Sequence, residues 1–233
     1  MRVMRVPDKI QSLMVLRRRH VPIETIIDVG AQLCTPELTF VFPDKPHLLF
    51  EPVREYIEHI RVNYNKINYT LVEAAVSDKE GEVTLQIRAI GGSATITHSG
   101  MVSGPADSID KRVVPMVTLD GYLLRHPQKP PYLVKLDVDG CEEQIMRGAE
   151  ETLKNTSVVI VEGTKGNLTE RITFLEARGF EIFDLVEACY YDQSFWQCDA
   201  VMLKQSLHAQ YFTRLQNDNF WPEKYEAFRL TYK

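Results

Sequence analysis

Five short apolar runs, each closing on an acid, constrain this chain more than any other feature. They are TIIDVG (25–30), HLLFEP (47–52), YTLVEAAVSD (69–78), PYLVKLDVDG (131–140) and SVVIVEG (157–163). The runs are rich in β-branched residues and mostly lack the in–out alternation of a half-exposed strand. They read as strands buried on both faces, as in a parallel sheet. Helical periods lie between them. Residues 53–65 carry an apolar stripe at Val53, Tyr56, Ile57, Ile60 and Tyr64, and residues 141–153 one at Ile145, Met146, Ala149 and Leu153. Alternating strands and helices predict an α/β fold with right-handed crossovers.

The remaining segments fit the same plan. Residues 8–20 read as a helix entered at Pro7-Asp8, and residues 31–40 begin another with Pro36 near its first turn. EVTLQI alternates and predicts a half-exposed strand. Residues 90–111 are rich in Gly, Ser, Thr and Asp without a period and predict a long loop. Residues 113–123 start extended and end in a short helix. A helix over 168–178 with Gly179 at its end precedes two last strands, FEIFDLV and DAVMLK. The tail 206–233 reads as helical and amphipathic. No linker or repeat interrupts the chain, so residues 1–233 are expected to form one domain: an N-terminal helix in 1–22, a core over 24–204 and the tail.

Composition excludes several classes. Charged residues make up 25%, with 27 Lys+Arg against 32 Asp+Glu, a net −5, where a generic nucleic-acid binder would favour a basic surface. No nucleic-acid partner is expected. The short run Arg17-Arg18-Arg19 is read as a solvated helix face in preference to a site for acidic substrates or lipid headgroups. No window approaches the ~20 apolar residues of a membrane span, and MRVMRVPDKI lacks a signal peptide's apolar core. Cys34, Cys141, Cys189 and Cys198 show no metal-binding spacing. Reduced thiols and a cytoplasmic location are the expectation, with a Cys189–Cys198 staple the less favoured alternative.

Parallel sheets bind ligands beyond the carboxyl ends of their strands. That draws attention to Asp28, Gly30, Glu51, Asp78, Asp137, Asp139 and Glu162. A glycine after the first strand allows a sharp turn and close approach, and Glu51 after the second can accept both hydroxyls of a ribose. The GxGxxG phosphate fingerprint is absent. This disfavours a nicotinamide dehydrogenase and favours a nucleoside ligand without pyrophosphate, such as S-adenosylmethionine.

The ordered strings IIDVGA, LLFEPVREY, AAVSDKEGEVTL, VPMVTLDGYL, LVKLDVDGCEEQIMRGAEETL and VVIVEG resemble the FkbM family of methyltransferases over roughly residues 24–204. The resemblance implies a class I methyltransferase (Rossmann-like) fold: a seven-stranded, mostly parallel sheet with helices on both faces and its last strand antiparallel. It implies S-adenosyl-L-methionine as cofactor and O-methylation of a sugar, glycan or polyketide-like small molecule. Matched to the family's motifs, Asp28 and Gly30, with Ala31 and Gln32, face the methionine end of the cofactor. Glu51 and Pro52 hold the ribose, Ser77 and Asp78 lie near the adenine, and Asp137 lies near the reactive methyl. Asp139, Gly140 and Glu142 complete the fourth-strand motif, where the family more often has Glu at the position of Asp139.

Two departures stand out in the first loop: Gln32 replaces an Asn, and Cys34 stands where a second glycine is usual. A Cβ at position 34 would crowd the backbone if φ were positive there. A non-catalytic binding module on the same scaffold is therefore the alternative reading.

A hydroxyl acceptor benefits from a general base or a metal. Asp137, Asp139 and His98 are the catalytic candidates. Competing readings are a cofactor-facing or capping carboxylate for Asp137, a helix cap for Asp139 and a surface residue for His98. Glu142 suits the first turn of a helix. DVDGCE opens like a calcium loop but lacks the later ligands. A divalent ion on Asp137, Asp139 and Glu162 is conceivable, yet no metal is expected. Tyr190, Tyr191, Phe195 and Trp196 are read as a hairpin packed on the tail, with stacking on a sugar ring as the alternative. The oligomeric state is open, a homodimer among the options.

Overall fold

The computed structural model describes residues 5–89, 97–101, 110–138, 140–213 and 221–225. A seven-stranded sheet runs through the centre. Its strands are β1 (Thr25–Val29), β2 (His47–Phe50), β3 (Tyr69–Val72), β8 (Tyr132–Leu136), β9 (Thr156–Thr164), β10 (Phe180–Tyr191) and β11 (Ser194–Lys204). Their order is β10-β11-β9-β8-β1-β2-β3. The pairs β1–β2, β2–β3, β1–β8 and β8–β9 are parallel, and β11 runs antiparallel to both of its neighbours. The expected class I architecture, last strand included, is what the chain adopts.

Burial on both faces explains the unalternating runs. Ile27, Val29, Val134, Leu136, Val159 and Val161 pack on one side against α4 (Leu119–Arg125), α5 (Glu142–Arg147), α6 (Glu150–Lys154) and α7 (Leu168–Glu176). Ile26, Leu133, Val158, Ile160 and Val201 pack on the other, under α1 (Lys9–Arg18) and α2 (Pro36–Val41). Helix α3 (Arg54–Asn63) buries Tyr56, Ile57 and Ile60. Asp8 caps α1, its carboxylate accepting the Gln11 N–H at 2.7 Å.

Three expectations need correction. The run 69–78 is not one strand: it breaks after Val72, and β4 (Ala75–Val76) joins a separate four-stranded sheet, β4-β7-β5-β6, with β5 (Gly81–Ala89), β6 (Thr97–Met101) and β7 (Asp110–Val117). The loop expected over 90–111 thus contains a strand at 97–101, paired with β5; residues 90–96 and 102–109 lie outside the described residues. The helix expected over 141–153 is two. The break falls at Gly148, the C-cap of α5, where a Cβ would meet the Ser77 carbonyl oxygen at 2.2 Å. The new helix start is capped from α4, where Asp120 accepts from the Glu151 N–H (2.9 Å), the Thr152 N–H (2.7 Å) and the Thr152 hydroxyl (2.6 Å). Of the tail expected to be helical, the described residues form α8 (Gln205–Tyr211) and a 3₁₀ turn at Pro222–Lys224; residues 214–220 and 226–233 lie outside the described residues.

The last two strands are longer than their apolar cores and meet at Asp192-Gln193, both at positive φ (47° and 64°), as a two-residue hairpin of the primed type requires. The expected aromatic group sits at this hairpin's tip. None of the four cysteines is in a disulfide. Among the described residues, no helix is long and apolar enough to cross a membrane.

Candidate active site

The strand order reverses at β1. Chain that leaves β1 builds outward through β2 and β3, and β8 then returns to its other side. At such a switch point the loops diverge and leave a crevice. Two loops approach closely there. Gly30 has φ +87°, and a Cβ on it would lie 2.0 Å from the Asp137 carbonyl oxygen. Only glycine fits both constraints.

The crevice holds about 530 Å³, its open mouth included, and is lined by Val29, Gly30, Gln32, Phe50, Glu51, Pro52, Ala74, Ala75, Val76, Leu85, Asp137, Val138 and Cys141. The walls are largely apolar, with Glu51 and Asp137 as their acids.

Glu51 is fixed from behind. Its Oε1 accepts the Val53 N–H and its Oε2 the Gln32 N–H, both at 2.8 Å. The carboxyl is 2% exposed. Burial pushes its pKa up from 4.5 to about 7, against the opposing pull of those two N–H groups.

Asp137 has a different environment. The Lys135 ammonium lies 3.1 Å from its Oδ2 and 3.5 Å from Asp28 Oδ1. Burial works against ionised Asp137, but Lys135 outweighs it and holds the carboxyl below its ordinary range. Burial likewise opposes the Lys135 charge, and Asp28 and Asp137 together raise its pKa well above the usual value. Asp137 is therefore a permanent anion at the crevice wall, suited to facing a cation and a weak proton acceptor.

The six strand-end acids do not share one place. Glu51 and Asp137 line the crevice. Asp28 does not reach it: fully buried, it accepts the Thr35 hydroxyl at 2.6 Å and the Tyr64 hydroxyl at 3.4 Å, and so moors the first loop. Ser77 is buried behind the wall and Asp78 is exposed; Ala74, Ala75 and Val76 make that side instead. Glu162 faces a neighbouring groove, its Oε1 accepting from Gln197 Nε2 at 2.5 Å. Asp139 lies outside the described residues. His98 falls in β6 opposite Arg88, its side chain outside the described part. No group of three metal-binding side chains occurs among the described residues.

The departures in the first loop are absorbed. The positive φ falls on Gln32 (48°), not on Cys34, so the expected crowding at position 34 does not arise. Cys34 turns into a separate polar recess with Lys9, Thr35, Glu37 and Lys135, which meets the crevice at Gly30, Gln32 and Asp137. Ala31 is buried in that recess.

Sequence reasoning missed several contributors. Lys135 sits inside the apolar run YLVKL, and the parallel register sets it opposite Asp28. Glu142 is more than a first-turn acid. Fully buried, its Oε1 accepts the Val138 and Gly140 N–H groups at 3.2 and 3.3 Å, and its Oε2 pairs with Arg171 from α7. Arg171 also donates to the Glu162 carbonyl. The loop after β8 is thereby strapped to two helices.

The family model described as the methyltransferase FkbM domain matches residues 28–182. The FkbM methyltransferase of Methylobacillus flagellatus KT superposes with a TM-score of 0.52 at 14% identity, covering 85% of this chain and 48% of that one. This chain thus spans about half the length of that relative. The precorrin-6y C5,15-methyltransferase of Geobacter metallireducens GS-15 gives 0.46 at 17% identity, covering 84% and 87%. An rRNA methylase of Streptococcus thermophilus gives 0.49 at 10%, covering 87% and 99%. No curated protein matches the chain.

Proposed function

The chain belongs to the FkbM family of methyltransferases, and from that premise we propose that it uses S-adenosyl-L-methionine to methylate a hydroxyl oxygen of a sugar, glycan or polyketide-like small molecule. The observation that carries this reading is Glu51: a buried carboxyl at the end of β2, held by two backbone N–H groups and facing an apolar-walled crevice across from Gly30.

The residues present fit the cofactor. Glu51 is placed to accept hydroxyls of a ribose. Val29, Phe50, Ala74, Val76, Leu85 and Val138 supply apolar walls for a planar base. The constraint at Gly30 keeps the floor of the crevice at backbone level. When bound, S-adenosylmethionine supplies a methyl group activated by a positively charged sulfur.

Each residue's task follows from its environment. Asp137, kept ionised by Lys135, presents a fixed negative charge where a positive ligand group is stabilised without reorganisation. Glu142 and Arg171 hold the loop that carries Val138 and Gly140, which fixes the wall against which an acceptor must align. Asp139 and His98 stay the proposed groups for proton removal, with Asp137 the less suited because its carboxylate is paired with Lys135.

Calorimetry with S-adenosylhomocysteine tests the reading. Binding is expected for the parent and at least tenfold weaker binding for Glu51→Ala. No heat at millimolar ligand, with Glu51→Ala indistinguishable from the parent, would overturn it.

A further inference from the structure

Beyond the loop after β8 lies a second recess. It holds about 740 Å³ with its open mouth and is lined by Gly140, Glu162, Thr164, Asn167, Arg171, Trp196 and Gln197. We propose that this groove binds a pyranose ring of the methyl acceptor, with the Trp196 indole as its platform; its role as an acceptor site rests on the reading of the crevice given above.

Three observations carry the inference. The first is the platform. Trp196 is 43% exposed and is held at its backbone, where its carbonyl accepts the Lys165 N–H at 2.8 Å. The Lys165 ammonium lies 5.8 Å from the ring centroid and the Tyr191 ring 6.4 Å away. A positioned indole offers an apolar face with little ordering cost, and the C–H face of a sugar ring matches it.

The second is the chemistry beside the platform. Glu162 and Gln197 are joined by a 2.5 Å bond that fixes both planar groups. Asn167 is oriented by the Thr164 N–H at 2.8 Å. A carboxylate, two amides and a threonine hydroxyl around one aromatic face suit a neutral polyol. The Arg171 guanidinium that also lines the groove is already paired with Glu142, so the Glu162 carboxylate is left to disfavour a phosphate or carboxylate ligand, and a groove with one large apolar surface offers little to the side chains of a peptide.

The third is position. Gly140 lines this groove, while Asp137, Val138 and Cys141 of the same loop line the crevice. The two recesses thus lie on either side of the loop after β8, which puts a ring seated in the groove next to the proposed cofactor site.

The test is saturation-transfer NMR with the methyl pyranosides of glucose, galactose, mannose and rhamnose, alongside an array of immobilised oligosaccharides. At least one saccharide is expected to bind, with transfer strongest to the protons of one ring face. Trp196→Ala should weaken it at least tenfold, Gln197→Ala severalfold and Trp196→Phe less than threefold. Silence across panel and array, or binding that Trp196→Ala leaves intact, overturns the proposal. Should Trp196→Ala not fold, Gln197→Ala against Trp196→Phe carries the comparison, and equal affinities for those two overturn it. S-adenosylhomocysteine calorimetry on the same samples reads the crevice separately. Saccharide binding without cofactor binding removes the methyltransferase reading and keeps the groove, and the reverse result removes only the groove.

Discussion

Lys135 stands opposite Asp28 in the parallel register of β1 and β8, and its ammonium bridges Asp28 and Asp137 at 3.5 and 3.1 Å. The cation is 5% exposed and Asp28 fully buried. The pair lies below the crevice and sets the charge of its wall. Replacing Lys135 by Met would leave a buried carboxylate without its counter-ion, which typically costs about 3–5 kcal/mol. Urea denaturation at pH 7 should show that loss, and adding Asp28→Asn should recover part of it. Full stability in Lys135→Met would mean that the bridge contributes nothing.

Glu51 makes stability depend on pH in a definite direction. Its folded pKa of about 7 lies above its ordinary 4.5, so between those values the folded state holds more protons than the unfolded one. Its contribution is therefore greatest below pH 4.5, declines as pH rises, and levels off above about 7. The full span corresponds to about 3 kcal/mol. Glu51→Gln should flatten this part of the profile from pH 5 to 8. Ligand hydroxyls donate to the ionised form, so affinity for S-adenosylhomocysteine should rise over the same interval. Calorimetry in buffers of different ionisation enthalpy should register proton release near pH 6.

Gly30→Ala places a methyl group 2.0 Å from the Asp137 carbonyl on a backbone at φ +87°. Strain and overlap together should cost roughly 3 kcal/mol, and the two loops must separate. S-adenosylhomocysteine binding should be lost even at temperatures where the variant remains folded, as judged by circular dichroism. Unchanged affinity would show that the close approach is incidental to the ligand.

Cys34→Gly restores the residue usual in the family, yet it should not improve cofactor binding, because the left-handed position in this loop belongs to Gln32. The expected result is unchanged affinity and a loss of about 0.5–1 kcal/mol from added backbone freedom in the unfolded chain. A marked gain in affinity would restore position 34 as the defect.

The sheet was readable because residues 25–29, 47–50 and 132–136 are apolar on both faces, a pattern that only a covered parallel strand explains. Glu51 and Gly30 were readable because strand ends at a switch point have few other roles. The place of Asp28 in the motif does not reveal that the Thr35 and Tyr64 hydroxyls both donate to its Oδ2. Lys135 was invisible as one charged letter in an apolar run, since its meaning depends on a partner that only the register supplies. The break at Gly148 was likewise hidden. An unbroken apolar stripe over 141–153 carries no trace of the Ser77 carbonyl pressing against it.

The strap formed by Glu142 and Arg171 has one more consequence. Val138 and Gly140 belong to a partition between two chambers, and that partition is bolted to the body of the protein from behind. Neither chamber can widen by pushing it aside without also narrowing the other. The spacing between the two chambers is thus written into one buried ion pair and two backbone N–H groups.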